Sequence, residues 1–172
     1  LLTSPKSDFL VPVPGQGRFF YREKKQNEQQ YVLYVKEDID MKPVCVINPN
    51  ELSADGSVVL SSWTESVSSA FVAYELSEKG SEMGTVHIKN INTGEVLAER
   101  LERCRYSNIA WLPDDSGFYY TKHPYIGEVS PNEEHLHLKV YFHVLGTGQK
   151  SDILIFGQGR PLDDMISLKI SP

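Results

Sequence analysis

Residues 86–94 read VHIKNINTG and residues 140–148 read VYFHVLGTG, so two alternating runs each close on Thr-Gly. A degraded third copy, VLYVKED, begins at residue 32, and the starting points 32, 86 and 140 are evenly spaced by 54 residues. A second element precedes each copy: FFY at 19–21, FVAY at 71–74 and FYYT at 118–121. Two landmarks that recur in one order at this spacing are typical of propeller blades, each of which is a small antiparallel sheet.

We therefore predict an all-β chain that forms a partial β-propeller, with about three four-stranded antiparallel blades and the start of a fourth. The spacing places the blades at residues 18–52, 53–104 and 105–160, and the next blade begins within 161–172. Residues 1–17 carry three prolines and two glycines, so they are expected to be extended. This segment is either a linker or the way into the edge of the first sheet.

Individual strands follow from runs of alternating or aromatic residues between polar turns. In the first blade we expect three strands, the last over Val44–Ile47. The fourth strand of the second blade is predicted at Val96 to Arg100, and the first strand of the fourth blade at Leu162 to Ile170. Residues 123–134 are polar with two prolines and are predicted to form a long hairpin loop on one rim.

Composition excludes several classes of protein. The formal net charge is −6 and the pI is near 5.4, with Lys and Arg scattered, so a nucleic-acid partner is not expected. There is no apolar run of about 18 residues for a membrane span, and the opening residues lack the charged and apolar regions of a signal peptide. We predict a cytoplasmic protein, or an internal piece of something larger, with no membrane partner.

The chain shows no pattern for catalysis of its own. The nucleophile-elbow motif G-x-S-x-G is missing, and no serine or cysteine lies in a recognisable context with a histidine. His135 and His137 have the i, i+2 spacing that could place both imidazoles on one strand face for a metal, near Glu133 or Glu134. A solvated end of a loop is the favoured interpretation, so no catalytic residue, metal or cofactor is expected.

Three other features have plain structural interpretations. The tetrapeptide GQGR occurs at 15–18 and again at 157–160, where a turn before a strand is favoured over an anion site. Cys45 and Cys104 lie in different repeats without C-x-x-C spacing, and are interpreted as small apolar residues in strands. Most aromatic side chains fall at recurring strand positions and are assigned to packing between blades.

Residues 106–121, YSNIAWLPDDSGFYYT, followed by VYFHVLGT at 140–147, resemble the propeller of prolyl oligopeptidases, as does AYELSEKGSE at 73–82. The resemblance extends from about Ser4 to Pro172. It implies a parent protein in which a seven-bladed propeller covers an α/β-hydrolase domain with a Ser-Asp-His triad. That hydrolase domain has no counterpart in this sequence, so no triad residue is carried over. The resemblance also places Tyr119 in the substrate pocket, or Phe118 or Tyr120 if the register slips by one.

The expected function is that of a propeller which gates access of short, proline-containing peptides to the missing hydrolase domain of a serine peptidase. The alternative is a free-standing, non-enzymatic propeller module that binds a protein partner. Because three blades and a fragment cannot close a ring, we also expect self-association through the open blade edges.

Overall fold

The computed structural model describes residues 6–9, 18–38 and 40–170, which form three antiparallel sheets of four strands. In each sheet the strands are neighbours in chain order, so each sheet is a simple meander. The first sheet contains β1 (Lys6–Phe9), β2 (Phe19–Lys24), β3 (Val32–Lys36) and β4 (Val44–Ile47). The second contains β5 (Val58–Glu65), β6 (Phe71–Glu78), β7 (Gly84–Asn90) and β8 (Leu101–Cys104). The third contains β9 (Ile109–Trp111), β10 (Gly117–Lys122), β11 (Lys139–Val144) and β12 (Ile153–Phe156).

Short helical turns complete the architecture. Helix α1 (Pro49–Leu52) connects the first sheet to the second, and the Asn48 side chain caps it by accepting from the Asn50 N–H. Pro49 suits the first turn because a proline lacks only an N–H that would have no helical partner there. Two 3₁₀ turns, at Pro131–Glu133 and Gln149–Ser151, lie on either side of β11. The all-β prediction is confirmed, and the long loop over 123–134 holds no strand.

The sheets stack face to face through two apolar interfaces. The first interface lies between sheets one and two and contains Phe20, Leu33, Val35, Val46, Leu60, Val72 and Tyr74. The second interface lies between sheets two and three and contains Ala73, Val86, Ile88, Leu101, Cys104, Trp111, Phe118 and Tyr120. Strand β6 supplies Val72 and Tyr74 to one interface and Ala73 to the other, because successive side chains of a strand point to opposite faces. The second sheet is therefore buried on both faces.

Polar contacts between connections reinforce this stacking. Asp115, in the turn between β9 and β10, accepts hydrogen bonds from the hydroxyls of Ser66 and Ser68 in the turn between β5 and β6. Glu75, fully buried on β6, accepts from the backbone N–H of Tyr106 at 3.0 Å and of Ser107 at 2.8 Å. Each carboxylate is thus satisfied by donors from the neighbouring sheet or the connection to it, as a buried charge requires.

The prediction for the first blade needs a correction, because its sheet has four strands rather than three. Lys6–Phe9, inside the segment interpreted as a linker or sheet-edge lead-in, pairs antiparallel with β2 and forms the edge of the first sheet. The rest of residues 1–17 lies outside the described residues. An extended conformation, which the prolines indicated, is compatible with this edge position.

Two predicted strands are also wrong. Val96 makes only an isolated bridge to Lys89, and the fourth strand of the second sheet is Leu101–Cys104, whose first and last residues are fully buried while Val96 is exposed. In the described part of the predicted fourth blade, residues 161–170 form no strand. They lie instead along the rim of the third sheet, where the Leu162 carbonyl accepts a hydrogen bond from the His137 N–H at 2.7 Å. A strand needs a paired neighbour, and within the described residues this segment has none.

The second interface yields a stability prediction. Phe118 is fully buried there, with its ring centroid 4.7 Å from that of Trp111 and 5.1 Å from that of His143. Phe118→Ala should lower the free energy of unfolding by about 3–5 kcal/mol, because truncating a buried Phe leaves a cavity. Urea unfolding followed by circular dichroism measures the change. The matched control Ile126→Ala removes an exposed loop side chain and should shift it by less than about 0.5 kcal/mol. Equal effects of the two substitutions would contradict the assignment.

Candidate functional site

Tyr119 lies in the middle of β10, paired with Ala110 of β9 and with Phe142 of β11. Its half-buried ring packs against Phe142 in a tilted arrangement, with the centroids 5.0 Å apart. Because β10 alternates, Phe118 and Tyr120 point the opposite way, into the second interface. Tyr119 therefore occupies the open face of the third sheet, and a contact of this side chain with a peptide stays a prediction.

One rim of the third sheet carries a cleft of about 510 Å³ formed mainly by three separate connections. It lies between the β8–β9 link, the long loop before β11 and the segment after β12. The residues that line it are Arg105, Tyr106, Asn108, Thr121, His123, His135, Leu136, Leu138, Leu162, Asp163, Asp164, Met165 and Ile166. Apolar side chains and cationic, imidazole and carboxylate groups line it together, a combination suited to binding.

His123 is the buried imidazole of this cleft. Its Nδ1 lies 3.1 Å from the Leu136 carbonyl oxygen, so Nδ1 carries the proton and donates, which leaves Nε2 as an acceptor. Burial lowers the pKa of His123, and the nearby guanidinium of Arg105 acts in the same direction. Arg105 itself pairs with Glu82, with Nη2 and Oε2 2.5 Å apart. A neutral imidazole beside a paired arginine can accept a hydrogen bond from a ligand, but the arrangement contains no nucleophile.

His135 and His137 do not form a shared metal site. His137 has a positive φ of 55°, which breaks the strand alternation on which an i, i+2 pair depends. Its Nε2 lies 3.1 Å from Glu133 Oε2, while His135 is exposed at the cleft. Over residues 6–9, 18–38 and 40–170 no three His, Cys, Asp or Glu side chains are grouped as metal ligands would be.

The two GQGR tetrapeptides use their arginines for internal contacts. Gly15 to Gly17 lie outside the described residues, but Arg18 donates to the Glu37 carboxylate and to the Ser69 carbonyl oxygen. In the second copy Arg160 donates to Asp164 Oδ2 at 2.7 Å. These contacts fit the interpretation of the tetrapeptides as structural turns.

His143 and Asp152 form a buried pair that the sequence did not indicate. His143 Nδ1 lies 2.7 Å from Asp152 Oδ1, and the Tyr120 hydroxyl donates to Asp152 Oδ2 at 2.6 Å. Burial is the main reason that the pKa of Tyr120 is raised. A His–Asp pair orients the base of a catalytic triad, but Nε2 of His143 is buried and has no hydrogen-bond partner in the described chain. The pair therefore joins β10, β11 and the turn before β12, and activates no nucleophile.

Sequence reasoning did not find the cleft or the buried carboxylates. The cleft residues come from three stretches of the chain that no shared motif connects. The only local signal for the buried carboxylates was the sequence Asp-Ser-Gly at 115–117. It predicts a turn, but it does not show which side chains Asp115 will contact. For Cys104 the sequence prediction was right, because this residue lies in a strand. Its burial raises the pKa of the thiol to about 12. Cys45 also lies in a strand but is exposed.

Three stacked four-stranded meanders with rim connections define the β-propeller class of repeat proteins. A family profile for the prolyl oligopeptidase N-terminal beta-propeller domain matches residues 3–171. This chain therefore belongs to the prolyl oligopeptidase family and corresponds to its N-terminal propeller.

None of the helices in the described part of the chain has the length and hydrophobicity that a membrane span requires.

Known relatives support the same assignment. The chain is 34% identical to a prolyl endopeptidase of Elizabethkingia meningoseptica over 144 residues, which are 83% of this chain and 20% of that protein. It is 28% identical to prolyl oligopeptidase A of Galerina marginata, over 97% of this chain and 26% of that protein. A chain from a structural study of two prolyl endopeptidases superposes with a TM-score of 0.79 at 26% identity, covering 86% of this chain and 22% of that one. The chain thus spans a fifth to a quarter of the length of these relatives.

The histidines allow a test of pH dependence. His87 stacks on Tyr74, with ring centroids 5.4 Å apart, and burial lowers its pKa from 6.5 to about 4. Between those two pH values the unfolded chain binds the extra proton and the folded chain does not, so stability decreases as the pH falls from 6.5 to 4. His87→Gln should remove this part of the pH dependence.

Urea unfolding of both proteins at several pH values in this range measures the difference, and NMR titration of the imidazole gives its pKa directly. A wild-type and a variant curve that run parallel would contradict the assignment. Ile126→Ala is the control, because it removes an exposed side chain without an ionisable group and should leave the shape of the curve unchanged.

Proposed function

We propose that this chain is part of the gating propeller of a serine-type oligopeptidase that cleaves short proline-containing peptides, with catalysis supplied by an α/β-hydrolase domain outside this sequence. The observation that carries the proposal is the propeller family match over residues 3–171. Relatives bear the names prolyl endopeptidase and prolyl oligopeptidase A. A prolyl oligopeptidase B from Galerina marginata with the same fold has been solved with a 35mer hydrolysis and macrocyclization substrate bound.

The physical nature of a blade array supports the proposed gating role. Sheets stacked face to face around an axis leave a channel whose width is set by the packing of neighbouring blades. Here that packing is apolar and close, and carboxylates such as Glu75 and Asp115 join adjacent connections. A rigid wall of this kind would admit an extended peptide and exclude a folded domain. On this proposal the chain by itself hydrolyses no peptide. We also propose that the protein is located in the cytosol.

The proposal has a direct kinetic test. In the full-length parent, Tyr119→Ala should raise KM for a chromogenic proline peptide by about three- to tenfold with kcat unchanged, because it removes binding common to ground and transition states. Tyr119→Phe keeps the ring and should behave like the wild type. The matched control Ile126→Ala changes an exposed residue of the long rim loop and should leave KM unaltered.

The 172-residue chain, assayed with the same peptide, should show no hydrolysis above background. Unchanged KM in Tyr119→Ala would remove this residue from the substrate path. Full-length parent that cleaves a folded protein as fast as a short peptide of the same sequence would overturn the gating role.

We also propose that this chain self-associates. The support is the set of large apolar side chains left exposed on the third sheet, of which Val144, Ile153 and Phe156 are examples. Apolar surface of this kind is removed from water when two molecules associate.

A further inference from the structure

Arg103 lies at a β-bulge near the end of β8. Between the two positions where β8 pairs with β7, Leu101 and Cys104, one residue of β7 faces both Glu102 and Arg103. Arg103 has a positive φ of 64°, a conformation that is strained for a residue with a side chain and persists only where its surroundings compensate. A bulge also turns a side chain out of the regular alternation of its strand. The Arg103 side chain is therefore expected to make contacts that compensate for this backbone.

Those contacts are with the long rim loop, defined as residues 123–138 between β10 and β11. Arg103 Nε donates to the Pro124 carbonyl oxygen at 2.6 Å, and Arg103 Nη2 donates to the Glu134 carbonyl oxygen at 3.0 Å. The Glu134 carboxylate lies 3.9 Å from Nη2, and the Arg103 side chain is 12% exposed. The Arg103 carbonyl also accepts from the His123 N–H at 3.0 Å. One residue of the second sheet thus binds both the outgoing and the returning arm of a loop of the third sheet.

A guanidinium is well suited to this contact. Its N–H groups are fixed in a planar fork, so it can donate to two separate acceptors at once, whereas a lysine ammonium is a point charge on a flexible stem. Hydrogen bonds from a charged donor are about twice as strong as neutral ones. Pro124 is a buried residue, so removal of Arg103 would leave its carbonyl without this donor, which is unfavourable.

The two arms of the long rim loop are also joined to each other. His123 Nδ1 donates to the Leu136 carbonyl oxygen at 3.1 Å, which connects the outgoing arm to the returning arm. The His137 N–H then donates to the Leu162 carbonyl in the segment after β12. Because the arms are joined, the loop should move as one body, and Arg103 is a link between this body and the second sheet.

The long rim loop forms one wall of the rim cleft, to which it contributes His123, His135, Leu136 and Leu138. The β8–β9 link forms another wall, and this link begins directly after the strand that contains Arg103. Arg103 is not one of the described residues that line the cleft. It therefore joins the two walls from behind, without contacting a molecule that lies between them.

We propose that Arg103 is a positioning residue for peptide binding, which holds the long rim loop against the β8–β9 link and so sets the width of the rim cleft. An extended peptide fits the chemistry of this cleft. Its N–H groups can donate to the acceptor nitrogen of His123, and its apolar side chains can contact Leu136 and Leu138. This inference rests on the peptide-gating function proposed above and adds a residue to it.

Hydrogen exchange of the 172-residue chain tests the positioning. Arg103→Asn removes the guanidinium but keeps a residue that tolerates a positive φ. Amides of the long rim loop should exchange at least about tenfold faster in this variant, while those of β10 and β11 keep their rates. Arg100→Asn is the matched control, because Arg100 also donates to two carbonyls, those of Leu97 and Glu99, but both belong to its own segment. Unchanged exchange of the loop in Arg103→Asn would overturn the proposal.

Kinetics of the full-length parent test the consequence for the peptide. Arg103→Asn should raise KM for a chromogenic proline peptide about three- to tenfold with kcat unchanged, because Arg103 affects binding and contacts no reacting atom. Arg103→Lys keeps the charge but lacks the fork, so its KM should lie between those of Arg103→Asn and the wild type. It also provides the test if circular dichroism shows that Arg103→Asn does not fold. Arg100→Asn should leave KM unaltered.

The outcomes separate this inference from the proposed function. Faster exchange of the loop together with an unchanged KM would show that Arg103 holds a loop that does not border the peptide path, and would overturn the inference. A similar rise of KM in Arg100→Asn would also overturn it, since the effect would not come from the loop. Gating is measured independently, by comparing cleavage of a folded protein and of a short peptide in the wild-type parent.

Discussion

The structure depends on one constraint: the second sheet must be buried on both faces. Its central strand β6 sends Val72 and Tyr74 into one interface and Ala73 into the other, so both neighbouring sheets pack against it. Apolar burial of this extent drives the stacking, and the stacking in turn determines where the rim connections meet. The hydrogen bonds of Glu75 and Asp115 form because the second and third sheets are stacked. In a repeat array of this kind, no single sheet has a hydrophobic core of its own.

Buried carboxylates give the stacking its specificity. Glu75 accepts from two backbone N–H groups of the connection between sheets two and three, and Asp115 accepts from two serine hydroxyls of the adjacent turn. Apolar faces alone could slide past each other, but a buried charge that loses its donors costs far more than an apolar contact does. These residues belong to the architecture that would form a channel wall.

The edges of the outer strands are covered by different contacts from those that cover the faces of the sheets. Side chains of the next sheet, Lys89 and Gln149, occupy backbone groups of β4 and β8, so the repeat that stabilises each blade also protects its edge. Within the described residues the third sheet has no following sheet, and on its open face the ring of Tyr119 packs against that of Phe142. Both the peptide-binding proposal and the self-association proposal concern this last sheet.

The amino-acid sequence by itself determined the all-β class, the repeat and most strands, because the alternation of residues such as those in VHIKNINTG is a local property. It also determined the family through motifs at 106–121 and 140–147. Only the tertiary structure decided that Leu101–Cys104 rather than Val96 to Arg100 forms a strand, since burial against the third sheet selects it. The same holds for the His143–Asp152 pair and the rim cleft. The cleft residues come from separate stretches of the chain, while His143 and Asp152 lie in neighbouring parts of one hairpin, and local periodicity records neither set of contacts.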